Sequence, residues 1–416
     1  MMHALRDKIR KGYLKNMPDL RALSRRLYPR FVFDDRTATL ADELPVFTFH
    51  SVQPASFEPA LRYLRENGYR TLNADEIHAC LIGETPIPER AVALTFDDGR
   101  ATLWTTAFPL LEKYGMTAIC FVTTDYIAAD KSCHPCLSDV WSGNAAWETV
   151  RDRETPGNPF CTWPEIQTMH DRGVIDFQAH TRTHSRIAVG PRIEDFMNPG
   201  YDYTFYKLNV PVFERNGTDA PGADLPAGSP VHVNRSRMSD ARRYHDSGEL
   251  REKCAQLVQR EGEELFFRRP DWRRRLRAVV RAFRATHPEP DRYETSAEQH
   301  AAIREEFLGA KRTIESRLLG KTVRHFAFPW FEGGDTAIAV ARETGYVSTH
   351  WGILPGRRTN AAGDDPMRIV RIPYEEYIHR LPGSGRWPLS RVLRHRYANA
   401  LRRRLGAEPG EKTPRP

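Results

Sequence analysis

The stretch Ala91-Val92-Ala93-Leu94-Thr95-Phe96-Asp97-Asp98-Gly99 opens as an apolar run and stops abruptly on two carboxylates and a glycine. An apolar run without alternation predicts a strand covered on both faces, as the strands of parallel sheets are. The end of such a strand is where β/α folds gather reactive groups, because a loop there is held by a rigid sheet yet stays reachable. Gly99 lets the chain turn tightly at that point.

Upstream, Pro45-Val46-Phe47-Thr48-Phe49 reads as another strand, and Phe57 to Asn67 as a helix stopped by Gly68. Downstream, a helix through Leu110 to Tyr114 leads to the strand Thr117 to Val122. A helix over Trp163 to Arg172, closed by Gly173, leads to the strand Val174 to Ala179, which runs into His180. The beat returns at 296–319, where Ile303, Phe307, Ala310, Ile314 and Leu318 form one helical stripe before the strand Val323 to Phe328. Alternation over this length predicts parallel strands, hence a barrel or a doubly wound sheet.

Four segments follow. Residues 1–40 form a basic arm with Leu5, Ile9 and Tyr13 at helical spacing; 41–187 and 296–380 form the β/α body; 188–295 is an insertion, irregular to Val233 and then Arg-rich and helical; 381–416 is a basic amphipathic tail. The insertion carries Trp272, Leu276, Val279 and Phe283 as a stripe among arginines, and the tail carries Leu389, Leu393, Tyr397, Leu401 and Leu405. Each stripe either docks on the body or meets the anionic inner face of a membrane.

The chain has 416 residues, 40% hydrophobic and 28% charged, with a net charge of +8, as expected for a globular protein with a sizeable core. No run of 18 apolar residues occurs, and Met1 to Arg30 lacks the apolar stretch of a secretory signal, so a cytoplasmic location, at most peripheral to the inner membrane face, is the expectation. Six cysteines are too few for a disulfide framework. Cys133-His134-Pro135-Cys136 has no second pair at zinc-finger spacing and reads as a loop. The basic excess has no accompanying nucleic-acid motif, so no nucleic acid partner is expected.

Asp97 and Asp98 are adjacent, so their side chains diverge, and one can hold a metal while the other faces water or substrate. His180 and His184 stand at the i, i+4 spacing of two-histidine metal sites, after another strand. Two imidazoles and a carboxylate suit zinc first, with iron, cobalt and nickel as alternatives, and leave positions open for water and a substrate oxygen.

Thr95-Phe96-Asp97-Asp98-Gly99, His180-Thr181-Arg182-Thr183-His184 and Phe326-Ala327-Phe328-Pro329 with Gly333-Gly334 together resemble the motifs of the polysaccharide deacetylase family. Phe49-His50-Ser51-Val52 resembles the element that opens the domain in many members. Gly345-Tyr346, Gly356, Asn360, Asp365-Pro366 and Arg371-Ile372 resemble its end. The resemblance spans 44–187 and 296–375 and implies a distorted (β/α) barrel, here with a large loop insertion and helical termini. It implies a metal-dependent deacylase, with Asp97 as general base and Asp98, His180 and His184 as metal ligands, acting on an N-acylated sugar.

Two of the family's groups are displaced. Ala327 stands where many members carry an arginine that orients the base, and His350 is the late histidine nearest the place of the general acid. Arg371 and His50 are the alternatives from other strands, with His50 otherwise a substrate contact. Pro329 and Trp330 are further candidate substrate contacts, and Trp141 is either a sugar-stacking or a packing residue. N-deacetylation leads these expectations; O-acetyl ester cleavage and a non-catalytic saccharide- or metal-binding barrel are its rivals.

Overall fold

Parallel strands that are apolar on both faces have no side for water, so the sheet must be wrapped by helices or closed on itself. The computed structural model describes residues 17–40, 42–155, 158–201, 208–287 and 292–405; the Leu5, Ile9 and Tyr13 stripe lies outside them. In chain order the strands are β1 (Val46–Phe49), β2 (Arg70–Thr71), β3 (Ala91–Asp98), β4 (Ala118–Val122) and β5 (Ile175–Ala179). Then come β6 (Arg186–Phe196), β7 (Phe213–Arg215), β8 (Thr218–Ala220), β9 (Pro230–Ser236), β10 (His325–Ala327), β11 (Ser348–His350) and β12 (Ile372–Pro373).

The main sheet runs β11-β10-β5-β4-β3-β1-β12, parallel throughout, with β2 added beside β3. The run from Ile369 to Pro373 closes it. Ile369 bridges His350 of β11 in parallel, while Ile372 pairs with Phe47 of β1. The Ile369 N–H donates to the Thr349 carbonyl at 3.0 Å, and the Trp351 N–H to the Ile369 carbonyl at 2.8 Å. The fold is thus a distorted (β/α) barrel. Every residue of β3 is buried, which is what its unbroken apolar run requires.

Helices Pro54–Glu66, Ala74–Leu81, Phe108–Tyr114 and Trp163–Asp171 follow strands. Asn73 with Glu76 and Thr162 with Glu165 cap two of them reciprocally, which fixes where each begins. Before Phe108 the chain makes a wide π turn over Leu103–Ala107 that apolar periodicity does not reveal.

The chain divides into two compact units, Met1–Arg182 with Gly309–Phe331 and Gly345–Pro416, and Thr183–Leu308 with Glu332–Thr344. All barrel strands belong to the first. In the second, β6 pairs with β9 antiparallel and β7 with β8 across Asn216-Gly217, so the period of the barrel is lost here. Its core gathers Phe196, Leu250, Cys254, Val258, Phe266 and the helix Trp272–Thr286, whose Trp272, Leu276, Val280 and Phe283 are buried, with Val279 packed against them. Arg274, Arg277 and Arg281 are left on the exposed side of that helix.

The tail helix Leu389–Leu405 packs within the first unit, with Val392 and Arg396 buried. Arg396 pairs with buried Asp19, which also accepts from the hydroxyls of Tyr28, Tyr377 and Tyr397. The side chains of Leu401 and Leu405 lie outside the described residues. No described helix is long and apolar enough to cross a membrane.

Two stability predictions follow from burial. Asn360, 1% exposed, joins the barrel's closing run to the start of β1: its amide donates to the carbonyls of Leu44 (3.1 Å) and Val370 (2.9 Å) and accepts the Val370 N–H (2.8 Å). Asn360→Ala strands those buried groups and should lower unfolding free energy by about 2–4 kcal/mol in urea titrations. His379 is buried against Trp387, and burial depresses its pKa to about 4, reinforced by His395 and Arg391. The unfolded chain takes up this proton near pH 6.5, whereas the folded chain refuses it until about pH 4. Stability should therefore be full above pH 6.5 and fall across that window by about 1.4 kcal/mol per pH unit, and His379→Phe should flatten the slope by one proton.

Candidate metal centre and active site

Strand register assembles the site. Phe96 of β3 pairs with Phe49 of β1, so Asp97, still within β3, and His50, just past the end of β1, come side by side. On the other flank Asp98 pairs with Val122 of β4, whose carbonyl accepts the His180 N–H at 2.9 Å. Five of the nine non-glycine residues with positive φ among those described are Asp98 (72°), Thr181 (73°), His184 (53°), Trp330 (61°) and Phe331 (55°). Such backbone costs energy at each residue, and it is concentrated in the segments that carry the candidate groups.

His180 is enclosed, and its Nδ1 donates to the Ala327 carbonyl at 2.8 Å. That bond fixes the tautomer and leaves the Nε2 lone pair turned to Asp98 Oδ1, 3.5 Å away. Asp98 Oδ2 accepts from Nε of Arg100 at 3.0 Å, and Nη2 lies equally close. Asp98, His180 and His184 each present one buried ligand atom, all within 4.8 Å of one another. Two neutral imidazoles, one with its tautomer set by a backbone carbonyl, and one ionised carboxylate fit a divalent transition metal.

Asp97 is held from across the barrel. Arg371, just before β12, donates from Nη1 to Oδ1 at 2.6 Å and from Nη2 to Oδ2 at 2.9 Å, with both side chains at most 2% exposed. Arg371 also donates from Nε to the Trp351 carbonyl and from Nη1 to Thr95 Oγ1, which fixes the plane of the fork. Burial pushes the Asp97 carboxyl up, but the Arg371 charge and hydrogen bonds outweigh it and hold the group below the usual carboxylate range. Phe331 walls this pair: its ring lies 5.2 Å from the guanidinium and edge-on to His50 at 6.4 Å. It needs Gly352 beneath it, since a Cβ there would come within 2.8 Å of the ring.

The remaining sequence candidates fall in different places. His50 is half-buried beside Asp97; burial lowers its pKa, opposed by the charges of Asp98 and Asp97. His350 is wholly buried within the barrel wall, with Nδ1 on the Phe326 carbonyl at 3.2 Å and its ring on Phe121. Burial, with the Arg371 charge beside it, holds its pKa well below the usual imidazole range. Pro329 is buried and Trp330 half-buried in the turn after β10. Trp141 ends a short helix and packs against the Lys113 ammonium at 5.3 Å. Arg100 and Phe331 were not singled out from sequence; the only signal for Arg100 is its place two residues after Asp98.

These features define a (β/α) barrel with a metal-competent centre at the ends of its strands. Residues 84–199 match the family described as polysaccharide deacetylase. Over 185 residues, 43% of this chain, it is 28% identical to the poly-beta-1,6-N-acetyl-D-glucosamine N-deacetylase of Escherichia coli K12. Over 101 residues, 21% of this chain, it is 34% identical to a putative polysaccharide deacetylase, YxkH, of Bacillus subtilis. The matched parts span 26% and 36% of those relatives' lengths. A solved de-N-acetylase from Aggregatibacter actinomycetemcomitans aligns over 80% of this chain and 94% of its own, at 17% identity and a TM-score of 0.46. The BpsB deacetylase domain of Bordetella bronchiseptica aligns over 79% and 95%, at 18% and 0.46.

Titration calorimetry checks the ligand set: one zinc equivalent should bind, His180→Ala should abolish binding, and Asp97→Asn should leave it within about threefold. Equal loss in Asp97→Asn would exchange the roles of the two aspartates.

Proposed function

We propose that this chain is a metal-dependent hydrolase that removes N-acetyl groups from a sugar polymer or sugar-containing intermediate. The observation that carries the reading is the pairing of buried Asp97 with Arg371, in strand register with His50 on one side and next to the Asp98, His180, His184 ligand set on the other. The family match and the N-deacetylase named among the relatives support it.

A divalent ion, zinc first and iron, cobalt or nickel as alternatives, would be held by Asp98, His180 and His184 and would polarise the acyl carbonyl and acidify a water. Asp97 takes that water's proton. Arg371 keeps Asp97 ionised and aimed, at some cost in basicity. As the amide C–N bond breaks, the nitrogen needs a proton, and His50, leaving β1 beside Asp97, is the group placed to give it; this assignment replaces His350. The aromatic faces of Phe331 and Trp330 offer sugar contacts at the same rim.

Acetate release from short N-acetylglucosamine oligomers should occur, stop with a chelator and return with zinc. Arg371→Gln should reduce kcat by at least about 100-fold, because the base loses the fork that aims it. Release only from O-acetyl esters would move the reading to an esterase, and no metal-dependent release from any acylated sugar would leave a binding barrel.

A further inference from the structure

The end of β3 and the loop after β1 carry the candidate base and the candidate proton donor. A third segment, between the helices Trp147–Arg151 and Trp163–Asp171, joins them. Phe160 forms an antiparallel bridge with Arg100, the Ala101 N–H donates to the Pro159 carbonyl at 2.9 Å, and the Cys161 N–H donates to the Gly99 carbonyl at 2.9 Å. Buried Arg153 fastens this strap to itself through the carbonyls of Asn158 (2.8 Å) and Phe160 (3.0 Å). The strap thus lies along the turn that Asp98 enters in a left-handed conformation.

Glu154, next in the chain, reaches both loops. Its Oε1 accepts the Ser51 hydroxyl at 2.6 Å, and its Oε2 accepts the Thr102 N–H at 3.4 Å. Thr102 in turn accepts the Val52 N–H on Oγ1 at 3.1 Å. Glu154, Thr102, Val52 and Ser51 therefore close a ring of hydrogen bonds next to His50, which precedes Ser51 directly.

We infer that Glu154 is a positioning residue: it clamps the loop after β1 to the loop after β3, and so holds the His50 imidazole in register with Asp97 for protonation of the leaving amine. The inference rests on the N-deacetylase reading with His50 as donor. It has a signature that a merely structural role lacks. An amide needs its departing nitrogen protonated, whereas an aryl acetate expels a phenolate that leaves unaided, so a misplaced donor harms the first reaction and spares the second.

The experiment compares the full-length protein with Glu154→Ala, Glu154→Gln, His50→Ala and the double variant His50→Ala/Glu154→Ala. Substrates are an N-acetylglucosamine oligomer and 4-nitrophenyl acetate, and melting temperature is recorded alongside. Glu154→Ala should lower kcat on the oligomer by about 10- to 100-fold with KM within about threefold, and change ester hydrolysis by less than about threefold. Glu154→Gln keeps an acceptor for Ser51 and should recover most of the loss. In the His50→Ala background, Glu154→Ala should cost nothing further. Parallel loss on both substrates, or full additivity with His50→Ala, overturns the clamp while leaving the deacetylase reading intact. Wild-type protein that cleaves the ester but not the oligomer overturns that reading, and the clamp with it.

Discussion

The buried ion pair between Asp97 and Arg371 ties the fold to the chemistry. Removing two charges from water costs several kcal/mol each, and only a fork meeting a carboxylate with good geometry offsets it. The partners are 274 residues apart in sequence, on β3 and on the run that closes the barrel, so the pair exists only when the sheet has closed on itself. Closure and orientation of the Asp97 carboxylate are one event. A closing run displaced by one residue would leave Asp97 buried without a counter-charge, which is a penalty large enough to select the register.

The same logic extends to the neighbouring carboxylate. Two adjacent aspartates in a dry site would repel each other and take up a proton; instead each has its own arginine, Arg371 for Asp97 and Arg100 for Asp98. Arg100 occupies one oxygen of Asp98 and leaves the other facing His180. Since the two acids are balanced before any ion arrives, an incoming divalent cation adds positive charge to a site already near neutrality. Such a site can draw electron density from a bound carbonyl rather than exhaust its charge on neutralising the protein.

Sequence patterns revealed the parts of the fold that are long and one-sided in character. The runs behind β3, β4 and β5 could be read because each is five or more residues long, wholly buried in β3 and β4 and buried except at Asp176 in β5. Strands β2, β11 and β12 have two or three residues, too few to show any period, and they complete and close the barrel. Asp97, Asp98, His180 and His184 were legible because motif and strand end coincide. Arg100 and Phe331 were not, since nothing local distinguishes an arginine or phenylalanine that turns inward from one that does not. The choice between His50 and His350 turns on topology: chain order suggests a late histidine, but in a closed barrel the first strand neighbours the last, and β1 lies directly beside β3.

The two basic amphipathic helices show the limit of periodicity in a different way. A stripe of apolar residues every three or four positions states that one face is hidden; it does not say whether lipid or protein hides it. In the insertion, Trp272, Leu276, Val280 and Phe283 complete a core with residues of β6 and of the helix Gly248–Arg260, so this face is already covered. In the tail, the deciding residue is not apolar at all. Asp19 is buried beneath the helix with Arg396 as its counter-ion and the hydroxyls of Tyr28, Tyr377 and Tyr397 as further donors. Lifting the helix onto a membrane would strip that carboxylate of its arginine, a cost comparable to breaking any buried ion pair. A buried arginine beside the apolar stripe, paired with a buried acid, is what holds this helix on protein.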